Sequence, residues 1–414
     1  MKIKKTFWII GGGLLQVPLI KEVHQLGLNV IITDRNPHCV CKNLGEYFYP
    51  VDIFDLHKNI ELLFNLLNSK IHLVGILAAG IDANVTAAVL ARIAGLPGVA
   101  PQAAYITHNK AAFRKFLSKN NLPCPMWQEV SHEQDLKQAI QNIGFPLIIK
   151  NTDSSASRGT KKFFAPPSWE ELKTAFQNAQ EVSSTKTALV EELLIGSEQT
   201  VETIYDIKGT FWPCFITDRF FDENNIWAVE QGLRHPTTLS PRIRKDLYTL
   251  VKRTANKLGI KIGAAKADTM VTKKGNYILE MTTRLSGGFD CQYLVPAATG
   301  KNILKAAVLT ALGKAFPQTL LQDHKHKVAL TGSLWPKPGT VVKKITGVKK
   351  AQKMPGFENF FSGYKRGDVI QPYTDGTKRV CFIIASGAHE KDSQLNLNNI
   401  LNTIRIQTSP SSSL

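Results

Sequence analysis

The chain has 414 residues, of which 43% are hydrophobic and 20% are charged, as is typical of a globular protein with about two to four domains. No apolar run approaches the ~20 residues that a membrane-spanning helix needs, so we expect no membrane partner. The formal net charge of +18 would suit nucleic acid, but Lys and Arg are spread along the chain, without an arginine-rich arm or a zinc finger. We therefore expect a solvated basic surface and no nucleic-acid partner.

The amino terminus and the cysteines indicate a cellular compartment. MKIKKTFWII has the charge-then-apolar order of a signal peptide, but its apolar part ends at three glycines. Cys39 and Cys41 are the only close pair among the six cysteines, and C-x-C matches no common zinc spacing. These features favour free thiols in a cytoplasmic protein.

Strands that alternate with helices are predicted in the amino-terminal part. TFWII at 6–10, NVIITD at 29–34 and HLVGILAA at 72–79 are the strand candidates, and Asp82 is placed to cap the helix after the third. This alternation predicts an α/β domain over residues 1–105, with helices on both faces of a parallel sheet.

The rest of the chain has a different pattern of predicted elements, with shorter strands and fewer long helices. Thr107 is placed to cap a helix that ends near Asn120, and short strands around a helix at 168–180 predict an α+β lid at about 125–205. Further elements are predicted as helices at 241–258 and 301–313 and a strand pair at 262–281. The expected boundaries are a domain at 106–315 that contains the lid, a β-rich domain at 325–408 and a disordered tail at 409–414.

A glycine-rich turn, GGGLLQ, follows the first strand, and Asp34 lies about twenty residues further on. In dinucleotide-binding folds, such glycines approach the pyrophosphate and the acid binds the ribose. However, Gln16 replaces the third glycine of that fingerprint, and the freedom of glycine to form a tight turn explains the motif without a cofactor. A NAD-binding oxidoreductase is one alternative function.

A polar loop follows the apolar strand FPLII. Lys150 ends this strand, and the loop is rich in small donor residues, namely Ser154, Ser155, Ser157, Arg158 and Gly159. The N–H groups and hydroxyls of such a loop can bind phosphates while a lysine supplies a point charge. The loop is not a Walker motif, since G-x-x-x-x-G-K-[ST] is absent, and a flexible surface hairpin is the alternative.

Three glutamates, Glu191, Glu192 and Glu198, surround a short apolar stretch that includes Leu194. An exposed strand edge beside an acidic residue can bind adenine and ribose hydroxyls. Solvated glutamates at a strand edge are the alternative interpretation.

The segment GAAKADTMVTKKGNYILEM predicts a β-hairpin with a glycine in the turn. A loop at 273–275 would place Asp268 directly opposite Glu280, with Thr282 on the same face and Arg284 too if the strand continues. Two carboxylates ~5 Å apart repel each other unless a cation lies between them, and Mg²⁺ prefers such oxygen ligands. A one-residue change of register would send the acids to opposite faces.

The order of these features resembles the ATP-grasp superfamily from about residue 6 to residue 405. The series is a lysine at a helix start, a lysine before a serine-rich loop, Glu-Glu before an apolar pair, an aspartate, and Glu-x-x-x-Arg. RLSGGFDCQYLVPAATG and PKPGTVVKKITG make the chain most similar to carboxylate–amine ligases of the L-amino-acid ligase type. The resemblance implies an ATP-grasp architecture with an N-terminal doubly wound αβ domain and a small β-rich C-terminal domain.

The resemblance also implies which residues bind ATP. Lys110 and Lys150 would contact the phosphates, with Lys150 counted among the catalytic residues, and the loop at 154–160 would cover them. The backbone at 191–194 would meet adenine, and Glu198 would bind the ribose.

The metal and transfer site is implied in the same way. Asp268 and Glu280 would bind Mg²⁺ or Mn²⁺, and Arg284 would contact the transferring phosphate or the acyl intermediate. Thr282 stands where the family commonly has an asparagine ligand, so it would bind metal more weakly. Ala156 stands where the lid loop commonly has glycine.

The implied activity is the ATP- and Mg²⁺-dependent joining of a small-molecule carboxylate, first of all an amino acid, to an amine. The carboxylate would be activated as an acyl phosphate, with release of ADP and phosphate. The alternatives are a carboxylating or carbamoyl-phosphate-synthetase-like ATP-grasp enzyme, the NAD-binding oxidoreductase and a basic nucleic-acid-binding protein. The sequence leaves a homodimer open.

Overall fold

The computed structural model describes residues 4–222 and 225–410. Its amino-terminal strands are β1 (Lys5–Ile10), β2 (Asn29–Thr33), β3 (Tyr47–Tyr49) and β4 (His72–Ala78), and its helices are α1 (Val17–Gln25), α2 (Leu56–Leu67) and α3 (Asn84–Ile93). The strands form a parallel sheet in the order β3-β2-β1-β4, as the alternation predicts. Residues 7–10 of β1 are fully buried, so the apolar start of the chain is a core strand.

Two helix caps differ from the sequence-based expectation. The residue before α3 is Ala83, which makes no side-chain cap, and Asp82 is bound elsewhere. Thr107 lies inside α4 (Pro101–His108), and Asn109 caps α5 (Lys110–Lys119) by accepting a hydrogen bond from the Ala112 amide at 2.8 Å. The predicted boundary between residues 105 and 106 therefore falls within a helix.

The lid is a four-stranded antiparallel sheet with two helices packed on it. Its elements are β5 (Trp127–Val130), α6 (Glu133–Ile143), β6 (Leu147–Asn151), β7 (Lys161–Phe163), α7 (Trp169–Val182) and β8 (Ala188–Glu192). The strand order is β5-β8-β6-β7. Helix α7 confirms the helix predicted at 168–180, whereas α6 was not predicted.

The large sheet has nine strands, and a cavity separates it from the lid sheet. Its first part consists of β9 (Ser197–Tyr205), β10 (Phe211–Phe221), β11 (Glu230–His235), α8 (Pro241–Lys257), β12 (Gly263–Ala264), β13 (Lys266–Thr272), β14 (Gly275–Thr282), α9 (Val295–Thr299) and α10 (Ile303–Ala311). Helices α8 and α10 confirm the helices predicted at 241–258 and 301–313.

The C-terminal region continues this sheet. It contains β15 (Val328–Gly332), β16 (Thr340–Thr346), α11 (Val348–Ala351), β17 (Phe357–Ser362), β18 (Cys381–Gly387), α12 (Glu390–Thr403) and β19 (Arg405–Pro410). The strand order is β14-β13-β9-β10-β11-β15-β18-β17, with β12 beside β9 and with β16 and β19 in a separate pair. The region is β-rich, as predicted, but it also holds helix α12, and part of it continues the sheet of the preceding region.

The end of the chain is more ordered than predicted. Ser409 and Pro410 belong to β19 and pair with Val341 and Thr340, so these two residues of the predicted tail are in a strand. The rest of that tail, residues 411–414, lies outside the described residues. Across 4–222 and 225–410, no helix combines the length and the apolar character that crossing a membrane requires.

The glycine-rich turn after β1 forms hydrogen bonds within the protein. The Gly12 amide donates to Asp34 Oδ2 at 2.9 Å, so the two features that suggested a dinucleotide site bind each other. A Cβ at Gly12 would lie 2.5 Å from Cys39 Sγ, so packing alone requires a glycine there. All six cysteines are free thiols, as expected.

Candidate active site

A cavity of about 730 Å³ lies between the lid sheet and the large sheet. Lys150 on β6 and residues 191–196 at the end of β8 form part of the lid wall, and Arg219 on β10 and Met270 on β13 lie opposite. The predicted site residues that line it are Lys150, Glu191, Glu192, Leu194 and Glu198. Residues from three separate sequence motifs thus meet in one cleft.

A buried ion network holds Lys150 in this cleft. Lys150 Nζ lies 2.6 Å from Glu191 Oε2, and Arg114 Nε lies 2.6 Å from Glu191 Oε1. Burial alone would raise the pKa of Glu191, but the charges of Arg114 and Lys150 together lower it below its usual value. The Glu191 carboxylate therefore has both of its oxygens in ion pairs within the protein, and it is not available to contact the nucleotide.

Arg114, which the sequence did not reveal, also connects the lid to the hairpin. Its guanidinium is fully buried on α5 and donates through Nη2 to the Leu279 carbonyl oxygen at 2.7 Å. Leu279 immediately precedes Glu280. The Arg114 side chain therefore links the lid strand that holds Glu191 to the hairpin strand that holds Glu280.

Replacing Arg114 by Met is expected to lower the free energy of unfolding by about 3–5 kcal/mol, because the buried Glu191 carboxylate keeps only one cation. Urea unfolding followed by circular dichroism measures this loss. Arg242→Met, at an exposed position on α8, is the matched control and should change stability by less than about 0.5 kcal/mol. A loss below about 1 kcal/mol in Arg114→Met would show that the network is not an important source of stability.

The backbone at 191–194, which was expected to contact adenine, lies at the end of β8. The Glu192 and Leu193 amides donate to the carbonyl oxygens of Met126 and Pro146, at 2.9 and 3.0 Å. Within the described ranges, the Leu194 amide donates to no protein acceptor. Within residues 191–194, the peptide at Leu194 is therefore the candidate contact for adenine.

The serine-rich loop is folded against three parts of the protein. Lys110 Nζ donates to the Ser154 carbonyl oxygen at 2.7 Å, which joins the first predicted phosphate lysine to the loop. The Ala156 carbonyl oxygen accepts from the Gly376 amide at 2.9 Å, and the Ser155 side chain hydrogen-bonds to Asp82. The predicted cover for the phosphates thus contacts both the N-terminal and the C-terminal regions.

The loop backbone is strained at Ala156. Ala156 and Ser157 have φ values of 57° and 58°, in the left-handed region that glycine adopts more easily. Gly159, with φ 61°, lies in the same region and packs against the backbone of Ala179. The Arg158 residue is exposed, and its side chain donates through Nε to the Ser155 carbonyl oxygen at 3.2 Å.

The hairpin pairs Asp268 with Glu280, as expected, but its turn is shorter than expected. Thr272 pairs with Gly275, so the loop has two residues rather than the three proposed at 273–275. An irregularity between Asp268 and Thr269, opposite Leu279, then shifts the register by one residue. The expected pair is present because the bulge compensates for the shorter turn.

Two cationic side chains already occupy the space beside these acids. Lys266 Nζ lies 2.5 Å from Asp268 Oδ2 and 4.0 Å from Glu280 Oε1. Arg219 Nη1 lies 3.2 Å from Asp268 Oδ2 and also pairs with Glu198. Burial opposes ionisation of Asp268, but Arg219 and Lys266 hold its pKa well below the usual value.

Glu198, the predicted ribose ligand, is bound by protein in this structure. Its carboxylate pairs with Arg219, which also contacts Glu230 Oε2 at 2.8 Å. Burial raises the pKa of Glu198 to about 7, against the opposing effect of Arg219. Ribose contact through this carboxylate would require the Arg219 pair to rearrange.

Arg284 is held by the N-terminal domain. Its Nε and Nη2 donate to Asp82 Oδ1 at 3.0 and 2.5 Å, and its Nη1 donates to the Leu285 carbonyl oxygen at 2.9 Å. Thr282 is buried, and its hydroxyl donates to the Arg284 carbonyl oxygen at 3.4 Å. Asp82 therefore positions Arg284 rather than capping α3.

Beyond Arg284 lies a group of buried polar atoms without hydrogen-bond partners among the described residues. They are Glu202 Oε1, Ser286 Oγ, Asp290 Oδ1 and Gln292 Oε1. Glu202 Oε2 accepts from the Ser286 amide at 2.7 Å, and Gln292 Nε2 donates to the Ser286 carbonyl oxygen at 3.0 Å, so these three residues are in contact. Unsatisfied buried polar atoms are rare in proteins, so this group is a candidate contact surface for a polar substrate.

Two sequence families match the chain. The ATP-grasp domain matches residues 143–292, which contain the lid lysine, the cleft and the hairpin carboxylates. The central part of the chain is therefore similar to ATP-grasp domains. The L-amino acid ligase C-terminal domain 2 matches residues 334–409. The resemblance inferred from the sequence is therefore confirmed.

Known proteins similar to this chain include both ligases and carboxylating enzymes. The crystal structure of L-amino acid ligase from Bacillus licheniformis has a TM-score of 0.82 at 19% identity and covers 99% of this chain and 100% of that one. The MgADP- and bicarbonate-bound biotin carboxylase domain of Hydrogenobacter thermophilus 2-oxoglutarate carboxylase has a TM-score of 0.74 at 16% identity, covering 99% and 92%. The carbamoyl phosphate synthase large chain of Caldanaerobacter subterraneus is 23% identical over 79% of this chain, which spans only 29% of that protein.

Proposed function

We propose that the protein is an ADP-forming carboxylate–amine ligase with an amino acid as one substrate. A carboxylate oxygen of the first substrate attacks the γ-phosphorus of ATP, the bond to the β-phosphate oxygen breaks, and ADP leaves. The amine nitrogen then attacks the acyl carbon of the acyl phosphate, the C–O bond to phosphate breaks, and an amide forms with loss of a proton. The observation that carries the proposal is the cleft itself: Lys150 lines its lid wall, and the hairpin that pairs Asp268 with Glu280 contributes Met270 and Leu279 to its lining.

ATP would lie along this cleft with its adenine at the lid. The Leu194 amide is available to an adenine ring nitrogen, and the neighbouring apolar wall includes Ile148 and Met270. The phosphates would then extend towards Lys150 and the loop that Lys110 holds. A unit charge ~4 Å from a phosphate oxygen is worth ~4 kcal/mol at an effective dielectric of 20, so these lysines can supply a large part of the positioning energy.

The hairpin fits one Mg²⁺ better than two. Paired carboxylates are the oxygen ligands that Mg²⁺ takes beside substrate phosphates, and the Glu280 side chain is 35% exposed. Asp268 is already neutralised by Lys266 and Arg219, and no cluster of three or more His, Cys, Asp or Glu in residues 4–222 and 225–410 could hold a metal. When bound, the ion would neutralise charge on the transferring phosphate.

Replacing Lys266 by Met is expected to tighten Mn²⁺ binding in the presence of ADP by at least about tenfold, because an ammonium group beside Asp268 repels the metal. Electron paramagnetic resonance of free Mn²⁺ measures this without turnover. Lys273→Met in the exposed turn is the control, and it should leave Mn²⁺ affinity nearly unchanged. Weaker binding in Lys266→Met would mean that the lysine supports the metal site.

The acyl and amine substrates would meet at Arg284 and the unpartnered atoms beyond it. Asp82 fixes the guanidinium, which can neutralise an acyl phosphate as it forms. Ser286 Oγ and Asp290 Oδ1 follow Arg284 in the chain and have no hydrogen-bond partner among the described residues, and they suit an amino group or a carboxylate.

ADP release measured across a panel of amino acids and bicarbonate, with product masses, tests the proposed function. We expect ADP and phosphate to appear with Mg²⁺ or Mn²⁺ and with particular amino acids, and we expect the product mass to equal that of two substrates less water. Formation of AMP and pyrophosphate would contradict the acyl-phosphate mechanism. Turnover that depends on bicarbonate would instead favour the carboxylating class.

A further inference from the structure

A second large cavity, of about 760 Å³, lies outside the ATP cleft. The first half of β10, the end of β11, helix α8 and the linker at 323–328 line this cavity, which we call the basic cavity. It shares no lining residue with the ATP cleft. The ligase chemistry therefore does not explain it.

The charges that line the basic cavity are strongly unbalanced. The lining contains one acid, Asp323, and six Lys or Arg residues: Arg244, Lys245, Lys252, Lys301, Lys325 and Lys327. Lys301 Nζ lies 3.1 Å from Asp323 Oδ1, so the single acid is already paired. Among the described residues, Arg244, Lys245 and Lys325 have no acidic partner. A concave surface with this excess of positive charge concentrates anions.

Two walls present these cations around an apolar floor. Arg244 and Lys245 project from the first turns of α8, whereas Lys301 and Lys325 belong to the facing connections. Phe215, buried on β10, forms part of the floor. The half-buried Arg244 guanidinium can bind a phosphoryl group with two parallel hydrogen bonds, and lysines on the other wall can bind a second group.

His235 shows that the positive charge reaches the cavity wall. It is buried, and its Nδ1 lies 3.1 Å from the Ile216 carbonyl oxygen. Burial, followed by the nearby charge of Lys301, lowers the pKa of His235 to about 4, so the ring is neutral near pH 7. The floor thus adds a neutral hydrogen-bonding group, and among the described residues Arg244, Lys245 and Lys325 keep no acidic partner.

We propose that the basic cavity binds a small anion that carries two or more phosphoryl groups. The cations come from two separate parts of the chain, α8 and the segments at 301 and 325–327, and they suit several charges on one molecule better than a single monovalent ion. The volume suits a molecule of metabolite size. This proposal is independent of the ligase reaction and goes beyond it.

Calorimetric titration with inorganic tripolyphosphate tests the proposal, with ADP at saturation so that the ATP cleft is filled. Wild-type protein should bind one equivalent, and Arg244→Gln/Lys245→Gln should bind it at least about tenfold more weakly. Lys349→Gln/Lys350→Gln removes the same charge from an exposed helix outside the cavity and should bind like wild type. Lys325→Gln, on the other wall, should also weaken binding. Agreement between the two variants would exclude a folding defect of the α8 variant as the cause.

Three results would overturn the proposal. They are the absence of tripolyphosphate binding in the ADP-saturated wild type, equal weakening by the α8 and control pairs, and tighter binding of citrate than of tripolyphosphate. A single-stranded RNA oligonucleotide serves as a further probe. If RNA binds through Arg244 and Lys245 while tripolyphosphate does not, the surface is a nucleic-acid site and the small-anion assignment is wrong.

Discussion

Replacing Glu280 by Gln is expected to reduce ligase turnover at least about thousandfold while ADP affinity changes less than about threefold. The amide keeps the shape of the side chain but removes the charged oxygen ligand for Mg²⁺. The proposed nucleotide contacts, the Leu194 amide and Lys150, line the cleft and are unchanged by this substitution. Steady-state ADP release and calorimetric ADP titration measure the two quantities separately.

The hairpin and the lid provide matched controls for this result. Glu192→Gln makes the same chemical change on the lid wall, where Glu192 pairs with exposed Lys274 at 3.2 Å, and it should retain most of the activity. Thr282→Asn should be tolerated because it adds an oxygen ligand beside Glu280. If Glu280→Gln keeps full turnover, the carboxylate does not hold the catalytic metal.

Replacing Lys150 by Met is expected to weaken ATP binding and lower turnover, each by well over tenfold, which is more than ~1.4 kcal/mol. The change removes a cation that lines the lid wall and contacts Glu191, and it leaves that carboxylate less neutralised near the proposed phosphate site. The fold should persist, because Arg114 still pairs with Glu191. ATP titration and steady-state kinetics measure the loss.

Two further variants separate charge from geometry at Lys150. Lys274→Met removes a lysine whose side chain is 76% exposed and should leave the kinetics unchanged. Lys150→Arg keeps the charge but should recover little activity, because a planar guanidinium does not replace a compact ammonium in a tight pocket. Wild-type kinetics in Lys150→Met would assign Lys150 a purely structural role.

The fold was predictable where one periodicity extends over a whole element. The buried strands β1, β2 and β4 follow from apolar runs between helices, and α7 and α8 from regular apolar spacing. Helix α12 was missed because its sequence, EKDSQLNLNNILNT, is rich in Asn and polar residues, which favour turns. Tertiary packing of Leu397 and Ile400 against the sheet stabilises that helix, and a single sequence does not show such packing.

The site was predictable where its residues belong to local motifs. The Asp268–Glu280 pair followed from strand alternation, although the turn and the bulge that produce it were not foreseen. Lys266 could have been found by the same alternation, since it lies two residues before Asp268 on the same strand. Arg114 and Glu191 lie 77 residues apart, so no local pattern reveals their contact.

Transfer of ¹⁸O from a labelled carboxylate to phosphate tests the central claim most directly. Amino acids labelled in both carboxylate oxygens are incubated with ATP, Mg²⁺, unlabelled amine and the protein, and the phosphate released is examined by mass spectrometry. An acyl phosphate leaves one labelled oxygen on phosphorus when the amine displaces it, so we expect one ¹⁸O per phosphate formed. Unlabelled phosphate during amide formation, or label recovered in AMP, would contradict the proposed mechanism.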